Sequence, residues 1–123
     1  MKRLLIAGAL LFASTPAYAD SLDVIQTKLN AGCTAQQYGA IAKEFNASWG
    51  KSNGYLAEVL MPVTSNDLTH VFWVGRTASA AAFGKAWDTW VKDLGDPNST
   101  ASKVNAKLSA CAVNVSRDSY DVQ

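Results

Sequence analysis

HVFWVGRTASAAAFGKAWDTW, residues 70–90, holds the chain's single histidine, three of its four tryptophans and two of its four phenylalanines. Its first part alternates. Val71 and Trp73 stand in one phase and Phe72 and Val74 in the other, so the stretch predicts a strand that is apolar on both faces. Its second part changes period. Ser79 has a hydroxyl that can accept from the free N–H groups of a helix start, and beyond it Phe83, Trp87, Trp90, Val91 and Leu94 recur at helical spacing. Gly95 ends that helix and Pro97 prevents its continuation.

Outward from this unit the punctuation stays regular. Upstream, YLAEVLMPV (55–63) is again apolar in both phases, with Pro62 marking an edge position because proline cannot donate to a ladder. Ser65-Asn66-Asp67 supplies the turn of a hairpin between the two strands. Farther upstream, Thr34 and Gln37 have capping-box spacing. They open a helix whose apolar side is Tyr38, Ile41, Ala42, Phe45 and Trp49, and Gly50 and Gly54 close it. VIQTKL (24–29) reads as the first strand. Downstream, a shorter helical stretch over 99–109 carries Val104 and Leu108, and CAVNV (111–115) reads as the last strand. The order β-α-β-β-α-β is the split βαβ, or ferredoxin-like, pattern, an α+β fold. Its four-stranded antiparallel sheet runs 4-1-3-2, both helices lie on one face, and an extra short helix precedes the last strand.

The N-terminus predicts processing. Lys2 and Arg3 precede an apolar run from Leu4 to Ala13, and Ala17-Tyr18-Ala19 presents small residues where a signal peptidase reads them. Residues 1–19 are therefore expected to be a signal peptide cut between Ala19 and Asp20, with 20–123 a single domain in the periplasm or secreted. The run is too short to span a bilayer, and no cysteine follows the cut to take a lipid, so no membrane anchor is expected. Without Lys2 and Arg3 the 11 basic residues become 9 against 10 acidic, a net charge of −1. That balance, with no basic run, gives no electrostatic footprint for nucleic acid.

The strand order also pairs the two cysteines. If the last strand lies antiparallel beside the first, the end of the first faces the beginning of the last, which is where Cys33 and Cys111 stand. In an oxidising compartment they are expected to form a disulfide. Metal ligation needs closely spaced cysteine or histidine partners, and the chain has none, so neither metal nor cofactor is expected.

Element order across nearly the whole chain after residue 19, together with NAGCTAQQYGAIAKEF at the first strand-to-helix turn and THVFWVGRTASAAAFGKAWDTW at the third strand and second helix, resembles the dimeric α+β barrel superfamily. That superfamily includes the antibiotic biosynthesis monooxygenases. The resemblance implies two sheets packed face to face in a homodimer and a ligand held between each sheet and its helices. Some members oxidise aromatic substrates without metal or flavin, some bind haem, and many have no assigned activity.

The candidate ligand-binding residues are Tyr38, His70, Trp73, Arg76, Phe83 and Trp87. The aromatic ones can stack on a flat molecule, although their phases equally suit an ordinary core. His70 has a pKa suited to a general base, but no carboxylate stands at a spacing that predicts contact. Arg76 can hold a carboxylate bidentately or simply end a strand in solvent. Every nucleophilic triad would have to use His70, so no catalytic residue is assigned. The expected function is binding of a small apolar or aromatic ligand, or of an envelope partner, by an exported homodimer. The alternative is a cofactor-free monooxygenase acting on aromatic substrates.

Overall fold

The computed structural model describes residues 20–123; the expected signal peptide lies outside them. The elements are β1 (Ser21–Leu29), α1 (Ala35–Phe45), β2 (Leu56–Leu60), β3 (His70–Thr77), α2 (Ala80–Leu94), α3 (Thr100–Cys111) and β4 (Ala112–Asp121). One antiparallel sheet in the order β2-β3-β1-β4 carries all four strands, which is the expected 4-1-3-2 order seen from its other edge. The architecture is the ferredoxin-like α+β fold.

Local chemistry sets the helix starts. Thr34 accepts from the Gln37 N–H at 3.2 Å while the Gln37 side chain accepts from the Thr34 N–H at 2.7 Å, completing the capping box. Ser79 and Ser99 accept in the same way from Ala82 and Ser102, both at 3.0 Å. α1 does not end where its apolar side ends. It runs on through a single π turn, Asn46–Gly50, and a short 3-10 turn, Lys51–Asn53, before Gly54 adopts φ 67° and turns the chain into β2. The π turn aims the Asn46 side chain at the sheet, where its amide donates to and accepts from the Ala57 backbone, both at 2.8 Å. One edge of β2 is thereby capped by a side chain that mimics a peptide group.

Three element bounds differ from the sequence reading. β1 begins at Ser21 rather than Val24, and β4 reaches Asp121 rather than Val115. The omitted pieces, SLD and SRDSYD, are polar, but their strand pairing is complete because Ser21–Gln26 and Ser116–Asp121 bond to one another beyond a bulge after Gln26. β2 is shorter than the apolar run, and Met61, Pro62 and Val63 fall in the hairpin loop. The additional helix is not short: α3 has 12 residues against 11 in α1.

The core lies between the sheet and the helices. Alternation puts Ile25, Thr27, Val71, Trp73, Ala57 and Val59 on the helix side, against Tyr38, Ala42, Phe45 and Trp49 from α1 and its continuation. Ala101 and Val104 of α3 are also buried there. α2 is different. Ala86 is its one buried residue, and Trp87 and Val91 of its expected core side remain 41% and 52% exposed. α2 therefore stands off the sheet, which leaves room beneath it.

Cys33, in the turn after β1, and Cys111, the last residue of α3, are bridged with Cα atoms 5.2 Å apart across a separation of 78 residues. The link joins the register pair Leu29–Ala112 just beyond its end. Reduction of the chain-entropy loss is the standard account of such a staple. The single variants Cys33→Ser and Cys111→Ser are expected to lose the same stability, roughly 2–5 kcal/mol, since each removes one and the same bond. Denaturant melts of the two variants, with alkylation of the unreduced parent followed by mass spectrometry, check this; parent protein that takes up two alkyl groups would refute the bridge.

Candidate functional site

The room beneath α2 is a cavity of about 630 Å³ bounded by all three helices and the inner face of the sheet. All four of the chain's tryptophans line it: Trp49, Trp73, Trp87 and Trp90. Tyr38, Phe45, Tyr55 and Phe83 complete an aromatic wall, and Asn105, Ser109 and Asn114 add neutral polar groups from α3 and β4. The rings pack edge to face around Phe45, with centroids 5.1 Å from Trp73, 5.5 Å from Trp90 and 5.6 Å from Tyr55. Trp49 meets Trp90 at 4.9 Å, and its indole N–H donates to Asp93 Oδ2 at 2.9 Å, tying the end of α2 to the α1 extension. These contacts hold the walls in place without filling the space between them.

A polar chain crosses the floor. Asp23 of β1 is 1% exposed. Its Oδ1 accepts from Arg117 Nε and its Oδ2 from Arg117 Nη2, both at 2.7 Å, and Oδ2 also accepts from the Tyr55 hydroxyl at 2.7 Å. The Trp73 indole N–H donates to that hydroxyl at 2.9 Å. Tyr55 reaches Asp23 by lying across Gly75, which is the cross-strand neighbour of Asp23; a Cβ at Gly75 would overlap the Tyr55 ring. The Arg117 guanidinium rests 4.3 Å above the Trp87 ring and 5.8 Å from that of Phe83. One residue each from β1, the turn before β2, β3 and β4 is thus locked: a buried carboxylate paired bidentately, a phenol, an indole and a guanidinium stacked at the cavity wall.

Burial raises Tyr55 well above the ordinary phenol range, and the neighbouring Asp23 charge raises it further. Burial also raises Tyr38. For Arg117 burial opposes the charge, but the bonds to Asp23 outweigh it and the direction is upward. The cavity is therefore lined by neutral phenols and one permanent cation.

Of the six residues singled out from sequence, four meet here: Tyr38, Trp73, Phe83 and Trp87 all line the cavity. The other two do not. His70 stands at the hairpin end of β3, where its Nδ1 lies 2.5 Å from Asp67 Oδ2. The carboxylate that partners it is three residues back in the turn, a spacing that a loop brings into contact and a strand would not. Arg76 projects on the opposite face of the sheet, with Asp20 at 3.5 Å and Glu58, its neighbour on β2, at 3.8 Å. Strand alternation decides this, since Trp73 faces the helices and Arg76, three residues on, cannot. Sequence reasoning missed Asp23, Tyr55 and Arg117 as site residues. Alternation gives no signal for Arg117, because the bulge after Gln26 puts Val113, opposite Lys28, and Arg117, opposite Ile25, in different phases.

Two measurements test the network. Removing the Arg117 side chain strands a buried carboxylate, which typically costs roughly 3–5 kcal/mol, and partial exposure of the guanidinium puts Arg117→Leu at the low end. The double variant Asp23→Leu/Arg117→Leu is expected to be more stable than Arg117→Leu alone, as a double-mutant cycle on denaturant melts would read. The second concerns alkaline pH. Tyr38 and Tyr55 are both raised above the ordinary 10.0, so the folded chain keeps protons that the unfolded chain releases. Their contribution is complete below pH 10 and is lost as pH rises beyond it, at about 1.4 kcal/mol per pH unit for each phenol. Stability measured from pH 9 to 12 should fall accordingly, and Tyr55→Phe should flatten the slope.

No family model matches the sequence, and no curated protein sequence matches it. Solved structures do. SnoaB, a cofactor-independent oxygenase from Streptomyces nogalater, superposes with a TM-score of 0.56 at 10% identity over 85% of this chain and 94% of its own. A conserved protein of unknown function from Bacteroides thetaiotaomicron, described as a possible oxidoreductase, gives 0.54 at 10% identity over 86% of this chain and 100% of its own. A dimeric protein of unknown function and ferredoxin-like fold from Bacteroides fragilis gives 0.44 at 9% identity over 85% and 95%. At such identities the likeness is one of fold. Strand order and helix placement give the chain the ferredoxin-like α+β fold, and the first two of these structures share its overall architecture.

Proposed function

We propose that the protein is an exported binding protein that holds a small flat aromatic or apolar molecule in the cavity beneath α2. The observation that carries this reading is the convergence of all four tryptophans, from the α1 extension, β3 and α2, on one open space of about 630 Å³. That volume lies within the roughly 300–1,000 Å³ of small-molecule sites, and the wall is apolar with few polar groups, as such sites are. A close-packed interior would have no such space. The Cys33–Cys111 bridge and the processing pattern at 17–19 support export, and among the described residues no helix is long and apolar enough to cross a membrane.

The same reading includes a homodimer through the outer sheet face. Leu22, Val24, Phe72 and Val74 lie on that face with Leu56, Leu60 and Tyr120, which are 46%, 51% and 53% exposed. A contiguous apolar sheet face, with no helix among the described residues long and apolar enough to cross a membrane, supports a protein partner, and a second copy presents the same surface to it. Light scattering is expected to give twice the chain mass, and Leu60→Glu to shift it toward the monomer; a parent that stays monomeric at high micromolar concentration would remove the dimer.

Cofactor-free oxygenation of an aromatic substrate is the competing reading, supported by the fold shared with SnoaB and by the aromatic wall. Proton abstraction would need a base in the cavity. Tyr38 and Tyr55 are held neutral there, and His70 lies at the hairpin end. Binding is therefore the reading we favour. Titration with 2-naphthol should quench the tryptophan fluorescence saturably, with Phe83→Ala weakening the effect. Oxygen uptake with a panel of reduced quinol-like aromatics should stay at the buffer rate, and uptake that Trp73→Phe abolishes would establish the oxygenase instead.

A further inference from the structure

We propose that the molecule the cavity selects is a flat aromatic acid, with Arg117 as the residue that binds its carboxylate; this rests on reading the cavity as a ligand site. Arg117 is the one charged side chain lining the cavity, and its charge is positive. A guanidinium has five N–H donors. Two of them, on Nε and Nη2, are taken by Asp23, and no acceptor among the described residues takes those of Nη1. The Trp87 ring covers one face of the group, so its free capacity lies along its remaining edge.

Three features make that edge a fixed receptor rather than a solvated surface cation. Asp23 is buried and bound on both oxygens, so it cannot follow or release the guanidinium. Stacking on Trp87 fixes the plane. Three neutral donors and acceptors, Asn105, Ser109 and Asn114, share the lining, so the like charge nearest an incoming anion is that of Asp23, which is already bonded to Arg117 on both oxygens and to Tyr55. A carboxylate docking on the open edge would make charge-assisted bonds in a site partly screened from water, where such bonds are shorter and stronger than neutral ones. The ring system would then lie along the aromatic wall of Phe83, Trp73 and Trp90. Asp23 has a dual consequence: it spends one edge of Arg117 on the fold and orients the other toward the ligand.

Calorimetry of the oxidised protein of residues 20–123 with 2-naphthoate and with its methyl ester tests the assignment, since the two probes share ring and size and differ in charge. The acid is expected to bind about tenfold or more tightly than the ester. The double variant Asp23→Asn/Arg117→Gln removes both charges together and is expected to bind the two probes alike. Equal binding of acid and ester by the parent, or a preference for the ester, overturns the carboxylate assignment and leaves the cavity standing as a ligand site. A double variant that retains the preference for the acid overturns the role of Arg117. Binding of neither probe overturns both readings at once. Should the double variant fail to fold, Arg117→Lys, which keeps the charge and loses the planar fork, is expected to lose most of the preference for the acid, and an unchanged preference overturns the role of Arg117.

Discussion

A single buried carboxylate organises this molecule. Asp23 sits in the middle of the sheet at 1% exposure, where an unpaired charge would be untenable, and everything that compensates it comes from a different part of the chain. Arg117 arrives from the edge strand, Tyr55 from the turn before β2, and Gly75 clears the path by having no side chain. Because each partner also bounds the cavity or touches its wall, satisfying one charge sets the shape of the floor. β4 is held at that edge by the carboxylate as well as by its ladder, and so a strand whose residues are otherwise almost all exposed keeps a defined position.

The space above that floor follows from how the aromatic residues are distributed. Phe45 makes edge-to-face contacts with rings from β3 and α2, a geometry that rings prefer over parallel stacking, and a tilted contact with Trp49 of α1's extension. Such contacts prop elements apart at ring-to-ring distances. With Trp90 resting on Phe45 and Trp49, and Trp49 bonded to Asp93, the C-terminal half of α2 is fixed at a height that Ala86, the helix's buried residue, is too small to fill. The disulfide closes the opposite end of the same layer, beyond the last register pair of β1 and β4.

The two sheet faces have different chemistry for the same reason of alternation. The inner face carries Asp23, Ile25, Thr27 and Trp73, which find partners within the chain; Thr27, for example, donates to the Val71 carbonyl at 3.2 Å. The outer face carries Leu56, Leu60 and Tyr120, which find none. Arg76 and Glu58 add a cross-strand ion pair there, too exposed to contribute much to stability, but able to set orientation against a partner. The proposed ligand cavity and the proposed dimer face thereby lie on opposite sides of one four-stranded sheet.

The sequence by itself determined the element order, the caps of α1 and α2, the strand order and the cysteine pair. These rest on local signals: hydroxyl caps, glycine stops and periodicity of 2 or 3.6 act within a few residues, and the cysteines had one geometrically sensible pairing once the order was known. It also gathered Tyr38, Trp73, Phe83 and Trp87, because aromatic residues in a core phase must point inward. What only the tertiary structure decided is what they enclose. Asp23 and Arg117 lie in the parts of β1 and β4 that composition marks as polar and therefore as loop, and 94 residues separate them. A charge within a strand looks solvated until its counter-charge is brought beside it by register, and register is a property of the folded sheet. Likewise, helical spacing shows that Trp87 and Trp90 share a face of α2 with Phe83, but not whether that face meets the sheet or stands above a void, since that height is set by ring contacts between elements distant in the chain.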